Sequence, residues 1–164
     1  MELKRVVVTG LGAVTPVGNT TEETWNSLIN GVSGAAPITL FDASKFKTQF
    51  GCEVKNLNVT DYIDRKEVRK MDRYTQLAFV SAVQAVNDSA INLETVDKNR
   101  VGVIFGVGIG GIKTFEDEVK YYGQHEDMGP KFNPFFIPKM IADIAAGQIS
   151  IHFGFHGPNY ATTS

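Results

Sequence analysis

The residues able to do chemistry fall into three groups: a thiol and three histidines, a basic cluster, and two glycine-rich loops. Cys52 is the one cysteine of the sequence. It sits in a strand-like run over residues 46–54, where a lone Cys reads as a small buried apolar residue and not as a nucleophile. His125, His152 and His156 invite a metal or acid–base reading, but no carboxylate or Cys stands at ligand spacing from them. His152 and His156 read instead as a pair at a helix end, where the dipole favours positive charge. Residues 64–73 carry five basic and three acidic side chains. Lys66, Arg69, Lys70 and Arg73 are spaced i, i+3, i+4 and i+7, so one helical face would gather them. Such a face is either solvated, with local Glu–Lys pairs, or a docking patch for an acidic partner.

The glycine loops raise the possibility of phosphate chemistry. Gly10-Leu11-Gly12 follows the β-branched run Arg5-Val6-Val7-Val8-Thr9, as a dinucleotide fingerprint would. That fingerprint needs a third Gly at position 15, and position 15 is Thr. Pro16 and Gly18 then delay the helix. Gly106-Val107-Gly108-Ile109-Gly110-Gly111 is the second loop, and Ile112-Lys113-Thr114 after it is out of frame for a P-loop. Its glycines predict instead that backbone passes close to a ligand or a neighbouring chain. No nucleotide, other cofactor or metal is expected.

The elements that must position these groups alternate. Arg5–Thr9 reads as a buried strand. Thr20 and Glu23 form a capping box that starts a helix through Trp25, Leu28 and Ile29, stopping at Gly31. Residues 72–90 hold the clearest helix, with Tyr74, Leu77, Ala78, Ser81, Ala82, Ala85 and Val86 on the 3.6 period. Its small residues imply close packing. Residues 100–106 form a second buried strand, and residues 114–122 have helical character. Residues 129–138 form an aromatic, proline-bounded loop. Residues 139–153 are predicted helical, with Ile141, Ile144, Ala145, Ile149 and Phe153 on a stripe and Gly154 as the stop. Gly157-Pro158 turns the chain into a last strand, Asn159-Tyr160-Ala161-Thr162-Thr163-Ser164. No cap closes that strand, which reads as cut short. Together these predict an α/β fold with a mostly parallel sheet flanked by helices.

A length of 164 residues suits one domain, and 43% hydrophobic content can supply a core. A net charge of −2 argues against a nucleic-acid binder. No apolar run is long enough for a signal peptide core or a membrane span. A single Cys fits a reducing, cytoplasmic setting.

Several motifs carry a resemblance. Phe135-Phe136-Ile137-Pro138, Gly147-Gln148-Ile149-Ser150-Ile151, Gly157-Pro158 and Ala161-Thr162-Thr163-Ser164 resemble the run leading to the nucleophile of the β-ketoacyl-acyl-carrier-protein synthases, closest to the branch that elongates fatty acids. The resemblance implies a thiolase-like fold. Residues 1–164 would be part of its N-terminal half, ending just before the family's nucleophilic Cys, so no catalytic residue is expected in this chain. It implies acyl transfer and decarboxylative condensation by the whole enzyme, with acyl- and malonyl-loaded carrier protein as partner and a homodimer as the assembly. Gly108 and Ile109 match residues lining the far end of the acyl pocket, and Phe136 an aromatic bordering the neighbouring subunit's pocket. Lys66, Arg69, Lys70 and Lys131 match carrier-protein contacts. A non-catalytic, chain-length-factor-like partner and a polyketide-type ketosynthase are the alternatives; the residue at the family's Cys position separates the first from an enzyme.

Overall fold

The structure, a computed structural model, describes residues 3–163, and the predicted strand's last residue, Ser164, lies outside them. The chain divides into two compact units. The first comprises the residues up to Asn58 together with Ser81–Ala90, and the second Val59–Val80 together with the residues from Ile91 onward.

In the first unit the capping signal does what local chemistry requires. Helix α1 spans Thr21–Ile29, and Thr20 Oγ1 accepts from the Glu23 amide at 3.1 Å. Glu23 returns the bond to the Asn19 amide, 2.7 Å away, one residue before the cap itself. At the other end Gly31 takes φ +65°, its amide donates to Leu28 O at 3.1 Å, and the Val32 amide donates to Ser27 O at 2.9 Å. These are the two bonds of a Schellman stop. Strands β1 (Ala35–Pro37) and β2 (Phe50–Cys52) pair antiparallel, with Ala35 opposite Cys52. Glu53 braces the strands: it accepts from the Thr39 hydroxyl and amide and from the Leu40 amide. The Thr39 hydroxyl is the main cause that holds this carboxyl below its usual range. Cys52 is exposed, contrary to expectation, because nothing in this two-stranded ribbon covers its face.

The predicted strand over Arg5–Thr9 is absent. A strand exists through its ladder, and no strand among the described residues pairs with this segment. Val6 and Val8 are 89% and 80% exposed. The next residues are instead tied to a helix. Helix α3 spans Arg73–Asp88, close to the predicted 72–90. In its second half Asp88 accepts from the Leu11 amide at 2.8 Å, and Gln84 accepts from the Ala13 amide at 3.1 Å. The small residues predicted on this helix permit that approach. A Cβ on Gly10 would lie 2.3 Å from Ala85 O, and one on Gly12 would lie 2.0 Å from Ser81 O.

The second unit holds a parallel pair. Strands β3 (Val103–Val107) and β4 (Asn159–Thr163) run side by side, with Val103 opposite Asn159 and Val107 opposite Thr163. Both were expected as strands, β3 three residues earlier. Among the described residues the sheet content is thus two two-stranded ribbons, one antiparallel and one parallel. Between β3 and β4 lie helices α4 (Ile112–Gln124), α5 (Phe136–Met140) and α6 (Ile144–Phe153). Ala145, Ala146, Ile149 and Phe153 of α6 are buried, with Ala78, Phe79 and Val80 from the first half of α3. Gly154 ends α6 at φ +69°, and the Phe155 amide donates to Ser150 O at 2.9 Å. Asn159 at the start of β4 donates to Ala146 O and to Ser150 Oγ, which ties the strand to the helix.

Two predicted helices are split. The segment 64–73 forms only one turn, α2 (Arg65–Val68), before α3 starts. Gln76 explains the break, because its amide nitrogen satisfies the carbonyls of Val68 and Met71, and Met71 turns inward to 6% exposure. The predicted helix over 139–153 begins only at Ile144. Ile141 takes an extended ψ of 139°, and its carbonyl accepts from a tyrosine of α3 as well as, at 3.4 Å, from the Ile144 amide that opens the next helix. The aromatic loop in turn ends in helix at Phe136, with Pro138 in the first turn, where its missing N–H costs nothing.

Gly12→Ala puts a methyl group into the backbone of α3. The expected cost is about 2 kcal/mol or more of stability. Urea unfolding of the variant checks this, and a midpoint equal to that of the wild type contradicts the packing described.

Candidate functional site

In open parallel sheets, ligands bind outside the carboxyl ends of the strands. The parallel register places the ends of β3 and β4 together, and Gly106, Val107, Gly108, Thr162 and Thr163 line a shallow hollow there. A Cβ on Gly106 or Gly108 would meet no atom within 4 Å, so the missing side chains leave open space at the hollow. The strand leading toward Ser164 therefore ends beside the glycine loop, and is not a tail remote from it.

The other half of the loop behaves differently. Gly110 takes φ +87°, and a Cβ there would lie 2.7 Å from Met140 O. On Gly111 a Cβ would lie 2.3 Å from Lys139 O. The Gly111 amide donates to Met140 O at 3.0 Å. The close approach foreseen for this loop is real, and here the neighbour is the backbone at the end of α5. Thus Gly108 and Ile109 are carried to the same region as α5, on which Phe136 lies. Ile109 is 71% exposed. Phe136 is half-buried and stacks on Phe132 at 5.6 Å and on Phe115 of α4 at 6.3 Å.

Sequence reasoning missed the residues that hold this arrangement. Asp72 Oδ2 accepts from the Thr114 amide at 3.2 Å and from the Thr114 hydroxyl at 2.5 Å. The bonds reach the first turn of α4, directly after the glycine loop. Two residues on, the Tyr74 hydroxyl donates to Ile141 O at 2.5 Å, just past α5. Burial pushes the Tyr74 phenol above its ordinary value, so it stays a proton donor at neutral pH. A polar residue before a helix signals a cap, but no local pattern shows a bond spanning 42 positions.

The basic residues are not on one helical face. Lys66 lies in α2, Arg69 and Lys70 in the turn after it, and Arg73 begins α3. Lys66 and Arg69 are exposed. Lys70 pairs with Glu67 at 2.6 Å, an exposed contact worth under about 1 kcal/mol. Lys131 is exposed in the segment before α5. Among the histidines, His152 lies in the last turn of α6, edge-on to Phe79 at 4.8 Å. His156 lies beyond Gly154, so the two do not share a helix end. His125 stacks on Tyr121 at 4.4 Å. Among the described residues no group of three or more His, Cys, Asp or Glu is placed to hold a metal ion.

Residues 3–164 match the family model of the β-ketoacyl synthase N-terminal domain. The chain belongs to the β-ketoacyl synthase family. It is 44% identical over 165 residues to a 3-oxoacyl-[acyl-carrier-protein] synthase 2 of Synechocystis, covering 100% of this chain and 39% of that protein. This chain thus spans about two fifths of the length of that relative. Among solved structures, the ishigamide ketosynthase/chain length factor matches with TM-score 0.86 at 23% identity, over 96% of this chain and 39% of its own. A type II polyketide ketosynthase in complex with its acyl-carrier protein (AntDE:AntF) matches with TM-score 0.73 at 25% identity, over 96% and 41%. These neighbours show the α/β, thiolase-like fold, of which this synthase chain forms an N-terminal part.

The two halves of the glycine loop should respond oppositely to a methyl group. Gly108→Ala is expected to leave the melting temperature of the synthase chain within a degree or so of wild type, as its Cβ meets open space. Gly110→Ala, forced to positive φ against Met140 O, should lose about 1–3 kcal/mol. Thermal melts of both variants decide, and equal losses would mean that the loop is not held as described.

Proposed function

We propose that these residues are the N-terminal part of a fatty-acid-elongating 3-oxoacyl-acyl-carrier-protein synthase. The observation that carries the reading is the parallel register that sets Thr162 and Thr163 beside Gly106 and Gly108. It brings the strand leading to the expected nucleophile against the loop expected to line the acyl pocket. The likeness to a 3-oxoacyl-[acyl-carrier-protein] synthase 2 at 44% identity supports the same reaction.

In that reaction an acyl group passes from a carrier thioester to a cysteine thiol, and the carrier thiol leaves. Malonyl-carrier then loses CO2. Its carbanion attacks the acyl carbonyl, and the cysteine thiolate is expelled as the 3-oxoacyl-carrier forms. A thiol at a helix N-terminus is favoured as thiolate. Cys52 does not match that description, because it ends the short strand β2 and the next element begins only at Val59, so no helix starts at the thiol. Gly108, Ile109 and Phe136 are proposed to shape the acyl pocket. Lys66, Arg69, Lys70 and Lys131 are proposed to meet an acidic carrier protein, and the complex of a related ketosynthase with its carrier supports that partner.

A homodimer joined through the free edge of β4 is part of the same reading, since an uncovered strand edge is an association site. So is a cytoplasmic location; no described helix is long and apolar enough to cross a membrane. The likeness to a ketosynthase/chain length factor at 23% identity shows fold only and does not favour a non-catalytic partner.

The full-length synthase that this reading implies is expected to form 3-oxoacyl-carrier from acyl- and malonyl-carrier protein. Folded full-length protein giving no product overturns the reading. The 164 residues by themselves should form none. Reversing charge at Lys66, Arg69 and Lys70 together should lower kcat/KM for carrier-bound substrates about tenfold, with a weaker salt dependence than wild type. An unchanged salt dependence would remove these residues from the docking surface.

A further inference from the structure

The start of α3 grips the glycine loop from both sides. On one side Asp72 accepts two bonds from Thr114, in the first turn of the helix that leaves the loop. On the other, Tyr74 donates to Ile141 O, next to Met140, whose carbonyl accepts from the Gly111 amide. Gly110 and Gly111 pass so close to the backbone of Lys139, Met140 and Ala142 that a Cβ on either would clash with it. Gly108 and Ile109 face open space and have no such support of their own. They bridge the end of β3 at Val107 and the clamped half, so their position depends on both. Asp72 also lies only two residues after Lys70, at the end of the basic turn.

We infer that Asp72, Thr114 and Tyr74 are positioning residues that set where Ile109 stands and thereby how long an acyl chain the synthase accepts. This rests on the proposed reading of Gly108 and Ile109 as pocket residues. None of the three need touch substrate. They act through the backbone, since the loop is bonded at its exit to α4 and along its flank to residues 139–142. Side-chain hydrogen bonds to a carboxylate are among the stronger neutral-to-charged bonds. Losing the hydroxyl bond frees the first turn of α4, and with it the loop that precedes it. A shift of a fraction of an ångström at Ile109 matters because hydrophobic pockets discriminate by single methylenes.

The test uses the full-length synthase with hexanoyl and myristoyl thioesters of the carrier protein. Thr114→Val keeps the shape of the side chain and the amide bond but removes the hydroxyl donor. It is expected to change the ratio of kcat/KM for the two chain lengths about tenfold. Thr114→Ser, which restores the hydroxyl, should return the ratio to within about twofold of wild type. A merely structural role would lower both substrates together and leave the ratio untouched. Tyr74→Phe serves as a second variant on the opposite flank, and should move the ratio in the same manner. Amide hydrogen exchange of residues 108–115 in Thr114→Val should quicken, which reports the loosened loop without reference to activity. An active wild type with an unchanged ratio in folded Thr114→Val and Tyr74→Phe overturns the inference alone. A folded wild type that makes no product overturns the reading beneath it as well.

Discussion

Five residues of parallel pairing, Val103 to Val107 against Asn159 to Thr163, are the constraint on which the second unit depends. Parallel strands cannot be joined by a tight turn; they need a crossover, and 51 residues between β3 and β4 supply it as α4, α5 and α6. The crossover returns the chain so that both strands point the same way and end together. Once their ends are level, the residues that follow β3 must form a loop beside the end of β4. Everything at the hollow follows from that register. A slip of β3 by one residue would turn the half-buried Phe105 outward and bring the exposed Ile104 inward.

That register is protected at its other end by close packing. Val103 N donates to Pro158 O, Gly157 N donates to Val101 O, and a Cβ on Gly102 would fall 2.5 Å from Pro158 O. Pro158 cannot donate to a ladder itself, so it stands before the strand and accepts. Asn159 then fixes β4 to α6 by two side-chain bonds. The strand entry is thus bonded to both of its neighbours, while the strand exit is left open at Gly106 and Gly108. A rigid entry and an open exit suit a site built at the carboxyl edge.

The sequence made legible what local chemistry decides. Thr20, Glu23 and Gly31 specify the two ends of α1 within twelve residues, and the structure keeps both. Gly154 stops α6 for the same reason. The glycine loop was legible as a place of close backbone approach, and Gly110 and Gly111 show it. What was illegible depends on partners far along the chain. Val6, Val7 and Val8 have strand propensity, but propensity without a paired neighbour makes no strand. The helical period across residues 64–73 is broken by the side chain of Gln76, and the period across 139–153 by the hydroxyl of Tyr74. Neither residue looks unusual in its own helix. Cys52 was misjudged because burial is a property of the layer above a strand, which composition does not report.

The basic cluster and the glycine loop differ in how much geometry their proposed roles demand. Charge steering acts over about a Debye length, roughly 8 Å at physiological salt. Lys66, Arg69 and Lys70 still fall within five consecutive residues, in a single helical turn and the bend after it, which is enough for an interaction of that range. The single helical face is absent, and the docking role proposed for these residues asks only that their charges lie near one another. A pocket wall has no such tolerance, because dispersion contacts fade within about an ångström. The wall proposed at Ile109 would have to be held by bonds, and the bonds beside it come from Asp72 and Tyr74, outside the loop. The same short stretch after Lys70 thus ends the charged segment and anchors the loop, joining a tolerant interaction to an intolerant one through two residues of backbone.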